Sequence, residues 1–297
     1  MQLIPLKRVI DELETKNMKD KICLITGANS GIGKATAIAL AHQGAKIIMA
    51  CRNKDKAELA KNEIIGKSGN QDVEIMLVNF ASQKSVREFA SKFKRNYSKI
   101  DVLVNNAGLI AQSREVTEDG MEIAFAVNHL GHFLLTNLLM DELKNAENAR
   151  IINVSSEAHR LGTIDFNDLN LEKSYSNVKS YSNSKLANIL FTLELSKRLE
   201  SEGITANSLH PGVVDSNFAG NSSIFWQALI TMAKPFMVSI EKGAETSVYL
   251  ASSPEAENVN GKYFVRKKEK EPSKAAKNEA VAKKLWEVSE KLVGLSS

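Results

Sequence analysis

The 297-residue chain has two cysteines, five prolines and only 6% aromatic residues. Two cysteines supply neither a disulfide framework nor a zinc quartet. Cys23 falls early in one expected strand and Cys51 at the end of the next. Parallel neighbours at ~3.3 Å per residue would hold them about 10 Å apart, too far for a bridge. A reducing, intracellular setting is expected, cytoplasmic or peripherally membrane-associated. Long apolar runs are also lacking. The longest, Ile224 to Ile240, contains Gln227, Lys234 and Pro235 and falls short of the ~20 residues a spanning helix needs. Lys7 and Arg8 break the apolar N-terminus before Ile10, which removes a signal-peptide core. Nor is there an excess of one charge. The net charge is +4, and from Lys262 onward ten basic residues face five acidic ones, so the rest of the chain carries −1. A nucleic-acid partner calls for a basic stripe with interleaved aromatics, and none is present. The basic stretch Lys262–Lys284 offers a peripheral contact for anionic lipid; solvated helix ends are the plainer reading.

What is present is ordinary for a globular chain, with 43% hydrophobic and 25% charged residues. Short apolar runs alternate with longer helical periods, the mark of βαβ units and a parallel sheet. Strands are expected near Lys21–Thr26, Lys46–Cys51, Val73–Val78, Val102–Asn105, Arg150–Val154, Thr205–Leu209 and Gly261–Phe264. Helices are expected over Gly33–Gln43, Lys54–Ile65, Ser82–Tyr97, Glu118–Leu143, Tyr181–Glu202, Ile240–Ala251 and Ala275–Leu292. The expected architecture is a single α/β domain over 21–264, doubly wound, with seven parallel strands flanked by helices. An amphipathic extension, 1–20, precedes it and a basic helix or tail, 265–297, follows. The segment 218–238 interrupts the rhythm with Phe225, Trp226, Met232, Phe236 and Met237. It reads equally as a substrate lid or as a surface helix pair.

In open parallel sheets, ligands bind beyond the carboxyl ends of the strands. Thr26-Gly27-Ala28-Asn29-Ser30-Gly31-Ile32-Gly33 lies there, between the first strand and the first helix. A turn bare of side chains lets backbone approach a pyrophosphate at a helix N-terminus. At the end of the second strand, Cys51-Arg52 offers a cation and no acid until Asp55. Arg52 therefore favours a 2′-phosphate, and with it NADP(H), over a solvated surface role. Tyr181 and Lys185 stand four apart on one helix face. The lysine cation should favour the phenolate and draw the tyrosine pKa down toward neutrality. Tyr175 and Lys179 have the same spacing. The leucine-rich helical run after Lys185 favours the Tyr181 pair. His129 and His132 could suggest a metal, but no third ligand accompanies them, so packing is the expected role.

The glycine spacing, together with Asn105-Asn106-Ala107-Gly108 after the fourth strand, resembles the short-chain dehydrogenase/reductase family. The resemblance spans roughly Lys21 to Phe264 and six motifs in order. It implies a Rossmann-type fold, a hydride-transferring nicotinamide cofactor and a catalytic set of Asn128, Ser156, Tyr181 and Lys185. Within that set Lys185 also holds the nicotinamide ribose, and Asn128 supports a water-linked proton path to it. The resemblance assigns cofactor contacts to Gly27, Asn29, Ser30, Gly31, Ile32, Gly33, Arg52, Asn79, Asn106, Ala107, Gly108, Pro211, Gly212, Val214 and Ser216. Asn79 stands where the family commonly has Asp, and Ser216 where it more often has Thr. Asn128-His129-Leu130-Gly131-His132-Phe133, the long interval from Ser156 to Tyr181 and Gly261-Lys262-Tyr263-Phe264 look most like retinol dehydrogenases and their WW-domain-oxidoreductase relatives. Unlike many membrane-bound retinol dehydrogenases, the chain shows no anchoring helix.

These readings converge on an NADP(H)-dependent carbonyl reductase or alcohol dehydrogenase acting on a lipophilic aldehyde, ketone or alcohol. A cofactor-bound scaffold with little turnover is the rival from another class, and a sugar-nucleotide epimerase is disfavoured by the glycine spacing.

Overall fold

A computed structural model describes residues 18–212 and 238–295. Eight strands form one sheet in the order β3-β2-β1-β4-β5-β6-β7-β8. They are β1 (Ile22–Thr26), β2 (Lys46–Cys51), β3 (Val73–Leu77), β4 (Val102–Asn105), β5 (Arg150–Val154), β6 (Thr205–His210), β7 (Tyr263–Val265) and β8 (Lys268–Glu269). The first seven are parallel. The seven-strand expectation is corrected by β8, which pairs antiparallel with β7. Arg266 and Lys267, both in the left-handed region, form the two-residue turn between them.

Chain order reverses between β1 and β4, so the ligand crevice of such a sheet opens at their carboxyl ends. β4 is buried throughout, and β1, β2 and β5 after their first residue, as strands covered on both faces must be. Leu24, Ile48, Leu103 and Ile151 point to one face, against Phe93, Phe133, Leu190 and Trp286. Cys23, Ile25, Met49 and Val104 point to the other, against Leu40, Ile64, Leu250 and Phe264. Cys23 pairs opposite Ile47, four residues before Cys51. Both thiols are free and buried, and burial raises both pKa values.

The helices are α1 (Gly31–His42), α2 (Lys54–Ser68), α3 (Gln83–Asn96), then Ile123–Phe125, Ala126–Leu130 and Gly131–Leu138, together α4. After these come α5 (Met140–Lys144), α6 (Asn177–Arg198), α7 (Ile240–Ser252) and α8 (Glu279–Leu292). Side-chain caps explain several starts. Asn53, Ser82, Ser176, Ser239 and Asn278 each accept a backbone N–H of the first turn.

One helix was expected over Glu118–Leu143. It begins instead only after buried Glu122, whose carboxylate accepts the Phe125 N–H at 2.8 Å. A π-turn then widens it over Ala126–Leu130. α6 starts at Asn177, earlier than expected, so Tyr175 lies just outside the helix. The C-terminal stretch belongs to the main core. Trp286 of α8 packs 4.9 Å from Phe133 and 5.8 Å from Phe191, ring to ring. Truncating Phe133 would cost about 3–5 kcal/mol. Several basic residues of this stretch are paired, among them Lys262 with Glu269, Lys270 with Glu157 and Lys277 with Glu271.

Candidate active site

The carboxyl end of β1 becomes a turn because Gly27 and Gly31 take left-handed backbone. A Cβ on Gly31 would meet nothing within 4 Å, so this part of the turn faces open space. Gly33 is different. A Cβ there would lie 2.5 Å from Gly27 O and against Asn106 Nδ2, so the third glycine serves loop packing. Ser30 enters α1 with extended backbone, makes no side-chain cap, and is followed by no acid in the first turn. The N–H groups of that turn are therefore unblocked toward an anion. Asn29 and Ile32 are half-buried beside it.

Thr26 joins this turn to the loop after β4. Its hydroxyl accepts the Asn106 and Ala107 N–H groups, each at 2.8 Å, while Asn106 Nδ2 donates to Thr26 O at 2.8 Å. Arg52 is exposed directly after β2, with Cys51 buried before it and Asn53 capping α2. Asn79 Oδ1 already accepts the Ala81 N–H at 3.2 Å, which leaves it one lone pair. An open glycine turn and an unblocked helix start fit a nicotinamide dinucleotide.

The second wall stands on α4, β5 and α6. Ser155 ends its strand by donating to Lys185 O at 2.7 Å, which anchors α6 at that residue. Lys185, 3% exposed, donates through Nζ to Val154 O at 3.1 Å and lies 5.5 Å from the centre of the Tyr181 ring. Gly108 brings the β4 loop alongside, since a Cβ there would be 3.1 Å from Asn128 Oδ1 and 3.6 Å from Lys185 Nζ. Asn128 sits within the π-turn. Its Oδ1 accepts the Leu109 N–H at 2.8 Å, and its Nδ2 donates to Leu109 O at 3.0 Å and to Ser184 Oγ at 2.9 Å. Ser184 in turn donates to Tyr181 O at 2.7 Å. His159 fixes Ser156 from behind, donating from Nδ1 to Ser156 O at 2.6 Å and accepting the Ser273 N–H at Nε2.

Electrostatics correct one expectation. Burial raises the Tyr181 pKa to about 12, opposed by a hydrogen bond with Ser156, and burial lowers Lys185 to about 8. The ammonium donates to a carbonyl, and desolvation is the leading influence on each group. Tyr181 is therefore held as the phenol, whereas spacing alone pointed toward the phenolate.

The structure thus brings Asn128, Ser156, Tyr181 and Lys185 to one wall and Gly27–Gly33, Asn106–Gly108 and Arg52 to the other. Half-buried Pro211 and Gly212 follow β6. Val214, Ser216 and nearly all of the 218–238 segment lie outside the described residues. His129 and His132 are buried apart from one another's partners, facing Ser289 and Thr26. Among the described residues no group of three or more His, Cys, Asp or Glu could hold a metal. Sequence reasoning gave no role to Thr26, Ser184 or His159. Only their places, at a strand end or between motif residues, signal one.

Comparison with known proteins identifies the family. The family model for short chain dehydrogenase matches residues 21–224. Human retinol dehydrogenase 13 is 46% identical, covering 93% of this chain and 86% of that protein. Human retinol dehydrogenase 14 is 45% identical over 94% of this chain and 88% of that one. A crystal structure of an uncharacterized protein from Mycobacterium paratuberculosis superposes with a TM-score of 0.76 at 36% identity, covering 93% of this chain and 94% of that one. A blue fluorescent protein from a metagenomic library, solved in complex with NADPH, gives 0.67 at 26% identity over 84% and 96% of the two chains. The chain belongs to the short chain dehydrogenase family, on its retinol dehydrogenase-like branch.

Proposed function

We propose that the protein is an NADP(H)-dependent carbonyl reductase/alcohol dehydrogenase, acting on a lipophilic aldehyde, ketone or alcohol of the retinal/retinol kind. The observation that carries this reading is the convergence of Ser156, Tyr181, Lys185 and Asn128 beside the open glycine turn. A nicotinamide dinucleotide bound along that turn would supply the hydride. The chain's own residues handle the oxygen and its proton. Tyr181 Oη, kept protonated by burial, gives its proton to the carbonyl oxygen, and Ser156 Oγ donates to the same oxygen as charge develops there. Lys185 steadies the phenolate left behind and orients the ribose. Asn128 holds the Leu109 backbone and, through Ser184, the Tyr181 carbonyl, and so fixes the tyrosine's approach. Water-linked return of the proton runs toward Lys185.

Arg52 carries the cofactor preference. Exposed at the end of β2, it would hold the 2′-phosphate of that cofactor. Arg52→Asp should shift the ratio of NADPH to NADH affinity by about tenfold or more toward NADH, at roughly the strength of one charged hydrogen bond. An unchanged ratio in paired binding titrations removes that role. The remaining site residues, Asn29, Ser30, Ile32, Asn79, Pro211, Gly212, Val214 and Ser216, are proposed contacts of the same dinucleotide. A lipophilic substrate accords with the uncharged Leu109–Ile110 wall and with the names of the retinol dehydrogenase relatives. Among the described residues no helix is long and apolar enough to cross a membrane.

The test is NADPH and NADH oxidation against a panel of aldehydes and ketones that includes retinal, with the corresponding alcohols in reverse. Tight dinucleotide binding without turnover on any member would favour a cofactor-bound scaffold instead.

A further inference from the structure

The imidazole of His132 lies 2% exposed behind the dinucleotide turn, where the glycine loop, the loop after β4 and α4 meet. Its Nδ1 is 3.1 Å from Asn128 O, one helical turn back, and its Nε2 is 2.9 Å from Thr26 Oγ1. Its ring packs 4.7 Å from that of Phe80, which follows Asn79.

The hydrogen-bond inventory leaves one protonation pattern. A carbonyl oxygen only accepts, so Nδ1 carries the hydrogen. Thr26 Oγ1 already accepts two N–H groups, from Asn106 and Ala107. Both its lone pairs are then engaged, and its own hydrogen is free to point at Nε2. The alternative acceptor for that hydrogen, Val104 O, is more distant at 3.3 Å. Every polar atom of the cluster is satisfied with the ring neutral. Burial favours the same state, lowering the His132 pKa to about 4.

We propose that His132, as the neutral Nδ1–H tautomer, is a positioning residue that ties the cofactor loops at Thr26 and Asn106–Ala107 to the backbone of Asn128. It touches neither substrate nor cofactor. Its two nitrogens serve different halves of the site. Nε2 sets the Thr26 hydroxyl, and through it the loop that the dinucleotide lies against. Nδ1 sets the carbonyl of the residue whose side chain holds Leu109 and Ser184. The inference rests on the reading of the site as a dehydrogenase centre.

Three variants separate the two halves. His132→Phe keeps the ring shape and loses both bonds. His132→Asn places an amide N–H near the Nδ1 position and restores the bond to Asn128 alone, whereas His132→Gln reaches toward Thr26 alone. For His132→Phe, NADPH affinity by fluorescence titration and kcat should each fall about tenfold, as expected for buried groups left without partners. His132→Asn should recover kcat more than affinity, and His132→Gln affinity more than kcat. Equal losses in all three variants would mean that the two nitrogens do not serve separate halves of the site, and would overturn the proposal.

Should His132→Phe fail to fold, the His132→Gln and His132→Asn pair carries the test, and equal dinucleotide affinity in the two overturns the proposal. Nitrogen-15 shifts of the imidazole in the wild-type protein give a readout independent of turnover. They should report the Nδ1–H neutral form, and an Nε2–H or cationic ring overturns the proposal. A wild-type protein that binds neither dinucleotide overturns both this inference and the dehydrogenase reading. Wild-type binding with His132→Phe unaffected overturns this inference alone.

Discussion

Two stretches of the chain, Tyr175–Lys179 and Tyr181–Lys185, share the pattern Tyr-Ser-Asn-x-Lys and differ in almost everything else. Tyr175 precedes the Ser176 cap, so it is not on the helix; its hydroxyl donates to Ala111 O at 3.3 Å. Lys179 bends back to Ser174 Oγ at 2.9 Å on the surface. Six residues on, the same letters sit inside α6, where Ser155 grips the Lys185 carbonyl and the ammonium is buried. Burial raises the pKa of both tyrosines, Tyr181 to about 12, so it is the lysines that separate the pairs: burial lowers Lys185 to about 8, whereas Lys179 sits on the surface turn. In the proposed mechanism, a tyrosine and lysine one turn apart become a proton-transfer pair because the fold buries the ammonium and sets both on one helix beside an open ligand crevice.

The sharpest break of that contrast is Tyr181→Phe. It removes the proposed proton donor and keeps the ring, so kcat should fall by about 10²–10⁴ with thermal stability nearly unchanged. Steady-state turnover together with a melting curve checks it, and retained turnover would transfer the role elsewhere.

Lys185→Met comes next, with effects of opposite sign on activity and stability. Turnover should drop about a hundredfold, on the scale of a lost transition-state electrostatic contact. Stability at pH 7 should rise by about 1–3 kcal/mol, because the buried cation is penalised in the folded state and Val154 O keeps its bond from Asn188 Nδ2 at 3.2 Å. The lowered folded pKa means that the unfolded chain binds more protons between pH 8 and the ordinary lysine range near 10.5. Wild-type stability therefore rises with pH across that window, and the variant's advantage shrinks there. Denaturant midpoints at pH 7 and pH 10 test the sign, and a variant destabilised at pH 7 would contradict it.

A third effect concerns direction. In the proposed mechanism carbonyl reduction uses Tyr181 as the phenol, and alcohol oxidation uses it as the phenolate. With its pKa raised to about 12, kcat/KM for oxidation should climb with pH between 7 and 10, while that for reduction should not climb. A level oxidation profile would place the working pKa well below that of the buried phenol.

The contrast also shows how far the sequence could be read. β2, β4 and β5 were legible to the residue because central parallel strands are continuous apolar runs bounded by turn residues. The glycine turn and Asn106–Gly108 were legible because close backbone approach restricts residue type. The break in the expected 118–143 helix was not, since it depends on buried Glu122, whose other oxygen accepts from Ser180 on α6, 58 residues away. β8 escaped because two charged residues carry no apolar period and its turn sets Arg266 and Lys267 in the left-handed region. The rise in the Tyr181 pKa was illegible for the same reason that the two Tyr-Lys pairs look alike. Spacing records which groups are neighbours, and it says nothing about how much water the fold leaves around them.

The smallest expected effect is the one that tests this lesson most directly. Tyr175→Phe deletes a hydroxyl from a half-buried ring whose hydrogen bond, at 3.3 Å, is long. Its loss should cost no more than about 0.5–1 kcal/mol. Because Ala111 lies just beyond the Gly108–Ile110 wall, a loosened contact there can reach KM for a bulky substrate while leaving kcat within about twofold. Burial and the charge of Glu122 raise the Tyr175 pKa, so no phenolate is lost near neutral pH. If spacing alone conferred the chemistry, both phenylalanine variants would lose turnover to a similar degree. Environment as the deciding factor requires their kcat values to differ by two orders of magnitude or more, and a gap under tenfold would return the assignment to the pattern they share.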